Sequence, residues 1–130
     1  MIVLDTHVWL WWLALDDKLL KHSWLNAIVE ATSMGVSAIS CFEVAWLVHH
    51  RRVEIPVALD VWFEAALGGS GVKLLPITPR VSQLAAGLPE HHRDPQDRII
   101  IATAIANDAQ LISADGRFPA YEELAGRLIR

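Results

Sequence analysis

The sequence predicts an α/β fold: a three-layer α/β/α sandwich around a central parallel sheet of four or five strands. Three observations lead there. Short apolar runs (MIVLD, VSAI, VKLLPI and QLISAD) recur along the chain. Stretches with helical spacing separate them, and such alternation favours parallel pairing through right-handed crossovers. The run DPQDRIIIATAIANDA reads as a helix that is apolar nearly all round from Ile99 to Ala106, so it belongs at the centre of a layer.

MIVLD is a buried first strand. THVWLWWLAL is a short helix, with Val8, Trp11, Trp12 and Leu15 at helical spacing. DDKLLKHSWLNAIVEATSMG reads as a second helix that ends near Gly35. VSAI is the second strand, and CFEVAWLVHHRRV is a helix preceded by Ser40. PVALDVWFEAALGG is a further helix, with Pro56 in its first turn and Gly68-Gly69 at its end. VKLLPI is the third strand. TPRVSQLAAGLP is a helix opened by Thr78-Pro79 and closed by Gly87 and Pro89. After the helix that starts at Asp94-Pro95, QLISAD is the fourth strand. The tail FPAYEELAGRLIR holds a short helix and a small fifth strand, GRLI.

A length of 130 residues fits one domain covering 1–130. A hydrophobic fraction of 53% and a charged fraction of 20% exclude disorder. The mean hydropathy of +0.32 is high for a small protein, a surplus of the kind left by an apolar surface that a partner covers. No stretch approaches the roughly 18 apolar residues of a membrane span, and no basic leader precedes an apolar core at the N-terminus. The single Cys41 forms no internal disulfide, which with the missing leader points to a reduced, cytoplasmic setting. A net charge of −4 argues against sequence-independent nucleic-acid binding, which is usually basic. It does not argue against a nuclease, because a cluster of acids accounts for much of the deficit.

Those acids are the chemical signal. Asp5, Glu43, Asp97 and Asp115 each stand where an apolar run gives way to a turn or helix. In an open α/β sheet such junctions share one edge, outside the carboxyl ends of the strands, where ligands bind. Two unit charges about 4 Å apart repel by roughly 4 kcal/mol at an effective dielectric of 20. Four carboxylates on one edge therefore need cations, or some stay protonated. Oxygen-only donors favour Mg²⁺ or Mn²⁺ over zinc. The chemistry of such sites is phosphoryl transfer, in which a divalent cation lowers the pKa of a water and stabilises a leaving oxygen.

Each acid also has a plainer role open to it. Asp5 reads as a cap for the helix at Thr6-His7. Ser40-Cys41-Phe42-Glu43 matches the capping box S-x-x-E, so that capping and cation binding compete for the Glu43 oxygens. Asp94 before Pro95 is the better N-cap of its helix, which leaves Asp97, favoured in the first turn by the helix dipole, freer to face a ligand. Asp115 before Gly116 also fits a turn aspartate. Cys41 reads as core, His7 as a substrate contact or a packed side chain, and His91-His92 as a solvated loop. The 6 tryptophans are core candidates, although Trp9, Trp11 and Trp12 cannot share one helical face. There is no Gly-rich phosphate loop.

Taken in order, MIVLDTHVWLWWL, SAISCFEVAWL, HRDPQDRIIIATA and LISAD resemble the PIN-domain ribonucleases, and in particular the VapC toxins of type II toxin–antitoxin modules that open with DTH. The likeness extends from Met1 to Asp115. It implies a PIN fold and Mg²⁺- or Mn²⁺-dependent endoribonuclease activity, neutralised by a cognate antitoxin whose C-terminal segment lies in a groove near the site. It also implies a homodimer. Asp5, Glu43, Asp97 and Asp115 match the family's acidic quartet, Asp94 an additional acid, and Thr6 and Ser113 hydroxyl positions beside the site. Gln96 and His91 stand where the subgroup often has aromatics, a departure that bears on substrate choice.

With that resemblance, Asp5 and Asp97 are expected to hold the principal metal, with Glu43 and Asp115 completing the site. Arg51, Arg93 and Arg98 are expected to steer RNA phosphates. Two other function classes compete. One is a PIN scaffold that acts through its antitoxin without catalysis, which the complete acid set opposes. The other is a flavodoxin-like phosphoacceptor domain, which needs a late lysine, and the chain has none after Lys73.

Overall fold

Five strands build one sheet: β1 (Ile2–Leu4), β2 (Met34–Ser37), β3 (Val72–Leu75), β4 (Gln110–Ile112) and β5 (Leu128–Ile129). In space they run β3-β2-β1-β4-β5, and every adjacent pair is parallel. Among the described residues six α-helices cover the sheet: α1 (Thr6–Leu13), α2 (His22–Glu30), α3 (Ala38–His49), α4 (Leu59–Glu64), α5 (Pro79–Gly87) and α6 (Pro95–Ala106). This computed structural model describes residues 1–91 and 93–130. His92, one of the two histidines expected in a solvated loop, lies outside the described residues.

The strand order fixes the site. From β1 the chain proceeds to β2 and β3 on one side, then returns to place β4 and β5 on the other. The direction of winding thus reverses between β1 and β4, and the crevice beyond their carboxyl ends is where open α/β sheets bind ligands. Register is direct there: Leu4 lies beside Ile112, and the Asp5 N–H donates to the Ile112 carbonyl at 3.0 Å.

All three residues of β1 are buried, as both faces of the central strand are covered. Neighbouring side chains point to opposite layers. Val3 and Leu111 pack with Ile100, Ile101, Phe118 and Tyr121. Ile2, Leu4 and Ile112 pack with Val8, Trp9, Trp24, Val36 and Val44. Each large apolar side chain so buried contributes about 1.5–3 kcal/mol. Helix α6 is central as its composition predicts, with Ile100, Ile101, Ala102, Thr103 and Ala104 all buried.

Local boundaries depart from the sequence-based ones in three places. The second helix is confined to His22–Glu30, and Met34-Gly35 opens β2 rather than ending a helix. Gly35 is there for space: a Cβ on it would sit 2.7 Å from Leu75 Cδ1 and 3.2 Å from the Lys73 carbonyl oxygen. The third helix starts at Ala38, with Ser37 as its N-cap and the Ile39 N–H donating to Ser37 Oγ at 3.2 Å. The fourth starts at Leu59 and not near Pro56, then widens into a π-type turn over Ala65–Gly69. No helix among the described residues is long and apolar enough to cross a membrane.

Candidate active site

The carboxyl ends of β1 and β4 open onto a cleft of about 410 Å³ lined by Asp5, Glu43, Asp94, Asp97 and Asp115, with His7, Trp11 and Arg117 around them. The four junction acids and Asp94 therefore meet in one place. They arrive from four directions: the end of β1, the second turn of α3, the start of α6 and the loop after β4.

Asp5 is held most tightly. As N-cap of α1 its Oδ1 accepts the Thr6 N–H at 2.8 Å, and its Oδ2 accepts the Ser113 hydroxyl at 2.7 Å. Capping and site membership are thus combined in one residue. Burial raises its pKa; the bonds from Ser113 and Thr6 oppose that, and the charge of Asp97 adds to it. The Ser113 oxygen in turn accepts the Asp115 N–H at 3.0 Å. Thr6 itself is buried behind the site, where its hydroxyl donates to Ser40 Oγ at 2.9 Å and ties α1 to α3.

Glu43 does not cap its helix. The expected capping box fails because Ser37, and not Ser40, is the N-cap, which moves Glu43 into the second turn. Its side chain is released toward the cleft, and its Oε1 is buried with no hydrogen-bond partner among the described residues. Burial pushes its pKa up to about 7, with Asp5, Asp97 and Asp94 adding repulsion and the Thr6 hydroxyl opposing. A carboxyl near half-protonation at neutral pH beside other acids is one whose charged form a nearby cation would favour.

Asp94 caps α6, its Oδ1 accepting the Gln96 N–H at 2.9 Å, and Asp97 follows in the first turn. Arg117 bridges the far side. Its Nη2 lies 2.9 Å from Asp115 Oδ2 and 3.5 Å from Asp97 Oδ2. Its Nε donates to Asp115 Oδ1 at 3.1 Å. No local signal marks Arg117; only its position two residues after Asp115, on the loop that leaves β4, could reveal it.

The expected phosphate-steering arginines lie elsewhere. Arg51 borders a separate hollow with Val48, Val53 and Leu59. Arg93 is exposed and pairs with Glu90 at 3.9 Å. Arg98 is turned away to the carbonyls of Ala86, Leu88 and Pro89, at 3.2, 2.6 and 2.9 Å, where it fastens the end of α5 to α6. Gln96 reaches a side pocket with His7, Glu43, Trp46 and Leu47.

The donors suit a hard divalent cation: all are carboxylate oxygens, Glu43 Oε1 is orphaned, and a guanidinium already occupies the Asp97–Asp115 gap. Among the described residues no three His, Cys, Asp or Glu side chains form a ready-made metal cage. A second, apolar groove of about 600 Å³ adjoins the cleft and shares His7 and Trp11 with it; Leu10, Ile55, Val61 and Trp62 line its length.

Comparison with known proteins identifies the family. The PIN domain family model matches residues 2–124. Ribonuclease VapC22 of Mycobacterium tuberculosis is 35% identical over 121 residues, 92% of this chain and 91% of that protein. Among solved structures, VapBC2 of Rickettsia felis bound to a promoter DNA fragment aligns with a TM-score of 0.70 and 16% identity, covering 99% of this chain and 98% of that one. A toxin–antitoxin complex from Klebsiella pneumoniae aligns at 0.67 and 15%, covering 100% and 97%. FitAcB of Neisseria gonorrhoeae aligns at 0.65 and 17%, covering 100% and 97%. With a family model and a relative that each span nearly its whole length, the chain belongs to the PIN-domain family, among its VapC-type members.

Proposed function

We propose that the chain is the toxin of a type II toxin–antitoxin pair, a divalent-cation-dependent endoribonuclease that hydrolyses RNA phosphodiester bonds. The observation that carries this is the meeting of Asp5, Glu43, Asp97 and Asp115 in one cleft at the β1–β4 crevice. The sequence relative named as a ribonuclease supports it. In this reading residues 1–130 act as one PIN domain in the cytoplasm.

Asp5 and Asp97 hold the principal ion, with Mg²⁺ or Mn²⁺ suited to the oxygen set, and Glu43 and Asp115 complete the site. A bound ion supplies a water of lowered pKa and offsets charge at the phosphate. Ser113 and the Thr6 N–H orient Asp5. Asp94 fixes the start of α6 and with it the aim of Asp97. Arg51 and Arg93, exposed away from the cleft, are assigned in this reading to the more distant RNA backbone.

The antitoxin is the second partner. The groove beside the cleft is apolar, close to the acids and large enough for a segment of chain. The structural relatives described as toxin–antitoxin complexes support this assignment. A homodimer accords with exposed Phe42 and Trp46 on α3 and Leu74 and Ile77 near β3, which are 54%, 41%, 51% and 40% exposed.

The decisive experiment expresses the toxin with and without its antitoxin and maps RNA ends. Asp97→Asn should abolish Mn²⁺-dependent cleavage and growth arrest while the thermal midpoint in chelator stays equal or rises, because one of several crowded charges is gone. Arrest that persists in this variant favours the non-catalytic scaffold; wild-type cleavage by it sinks the metal assignment.

A further inference from the structure

We infer that Arg117 is an internal counter-cation that divalent metal must displace from Asp97 and Asp115, so that metal loading of the site is a cation exchange. The inference deepens the proposed metal-dependent reading and rests on it. Its basis is a set of shared oxygens. Arg117 grips both oxygens of Asp115 in a fork, Nε to Oδ1 at 3.1 Å and Nη2 to Oδ2 at 2.9 Å. The same Nη2 reaches Asp97 Oδ2 at 3.5 Å. The Arg117 N–H adds a bond to Asp115 Oδ1 at 2.9 Å. One guanidinium therefore spans the two acids that reach the cleft from α6 and from the loop after β4.

Exposure distinguishes the partners. The Asp97 and Asp115 side chains are 13% and 18% exposed, and the Arg117 side chain is 57% exposed. The acids are fixed from within, by the first turn of α6 and by the Ser113 hydroxyl that accepts the Asp115 N–H. The arginine covers them from the solvent side, on a chain segment whose neighbour Gly116 has open space around it. The guanidinium side of the pair faces water, so solvent screens it even though the fork geometry is favourable. A divalent ion on the same oxygens would repel the guanidinium, so the two occupants exclude each other. Until metal arrives, Arg117 keeps this half of the cleft compensated.

The test is calorimetric titration of MnCl₂ into the full chain without RNA, for wild type, Arg117→Gln and Arg117→Lys. Because the side chain is exposed, both variants should keep the wild-type fold, checked by thermal melting. Removing the competitor should tighten Mn²⁺ binding about fivefold in the glutamine variant, the gain expected from losing an exposed ion pair. The lysine variant, which keeps the charge without the fork, should fall between. Equal or weaker Mn²⁺ binding by Arg117→Gln overturns the inference, because Arg117 would then position the acids for metal rather than compete with it. Absence of any Mn²⁺ binding by all three proteins overturns it as well. RNA cleavage is assayed in parallel: tighter Mn²⁺ binding with no cleavage by wild type upholds the exchange and removes only the ribonuclease reading.

Discussion

The Ser113 hydroxyl donates to Asp5 Oδ2 at 2.7 Å, joining positions 108 apart in sequence. Ser113 Oγ itself accepts the Asp115 N–H at 3.0 Å. One small side chain at the end of β4 thus aligns a carboxylate at the end of β1 and starts the turn that carries another. This is how the reversal in strand order becomes a chemical site: adjacent parallel strands end together, and the serine ties their two ends to each other.

Ser113→Ala should therefore act on stability and on metal binding together. The variant leaves a largely buried carboxylate oxygen without its donor and should lower unfolding free energy by about 1–2 kcal/mol in urea titrations. Loss of an orienting bond to a metal ligand should also weaken Mn²⁺ binding by about tenfold or more. If stability falls and Mn²⁺ affinity does not, Asp5 is not a ligand.

Glu43 should make the metal-free protein lose stability as pH rises. Its folded pKa, about 7, lies above the ordinary 4.5. Between those values the folded state binds more protons than the unfolded state, so unfolding free energy falls with increasing pH through this window. Asp5, also raised, acts in the same direction. The full shift corresponds to about 3 kcal/mol, which solvent access to the half-buried side chain reduces to about 1–2 kcal/mol. Urea titrations in chelator from pH 4.5 to 8 should show this decline, and Glu43→Gln should flatten it. A pH-independent difference between wild type and variant would contradict the buried, proton-sharing Glu43.

The site is legible in the sequence because Asp5 and Asp115 closely follow the apolar runs of β1 and β4, and strand ends in a parallel sheet face one edge. Asp94-Pro95 is equally readable, since cap and proline act locally. For Glu43 the sequence leaves capping and cation binding in competition because Ser37 and Ser40 are both plausible caps, and choosing between them depends on where β2 stops. That is decided by pairing with β3, a long-range fact. Arg117 and Arg98 are unreadable for a related reason: the oxygens each arginine contacts are set by loop paths, and composition alone treats all exposed arginines as equivalent.

Arg98 provides the corresponding stability test. Its guanidinium serves three carbonyls at the end of α5 and beyond it. Arg98→Met keeps the aliphatic stem and removes the donors, and should lower unfolding free energy by about 2 kcal/mol. RNA affinity at a temperature well below the unfolding transition should be unchanged. A large loss of RNA binding with stability intact would restore Arg98 as a phosphate contact.

Gly35→Ala tests a close approach within the sheet. A methyl group at this point would lie 2.7 Å from Leu75 Cδ1, 2.9 Å from its Cγ and 3.2 Å from the Lys73 carbonyl oxygen. Leu75 is buried in the core and the carbonyl belongs to the neighbouring strand, so neither yields freely. Alanine favours extended backbone over glycine, which offsets part of the crowding. Overpacking should still dominate, with a loss of about 1–2 kcal/mol. Pairing Gly35→Ala with Leu75→Val should recover part of that loss, because the second change withdraws the atoms in conflict. If the pair is additive, the clash with Leu75 is not the source of the cost, and strain against the Lys73 backbone is what glycine relieves.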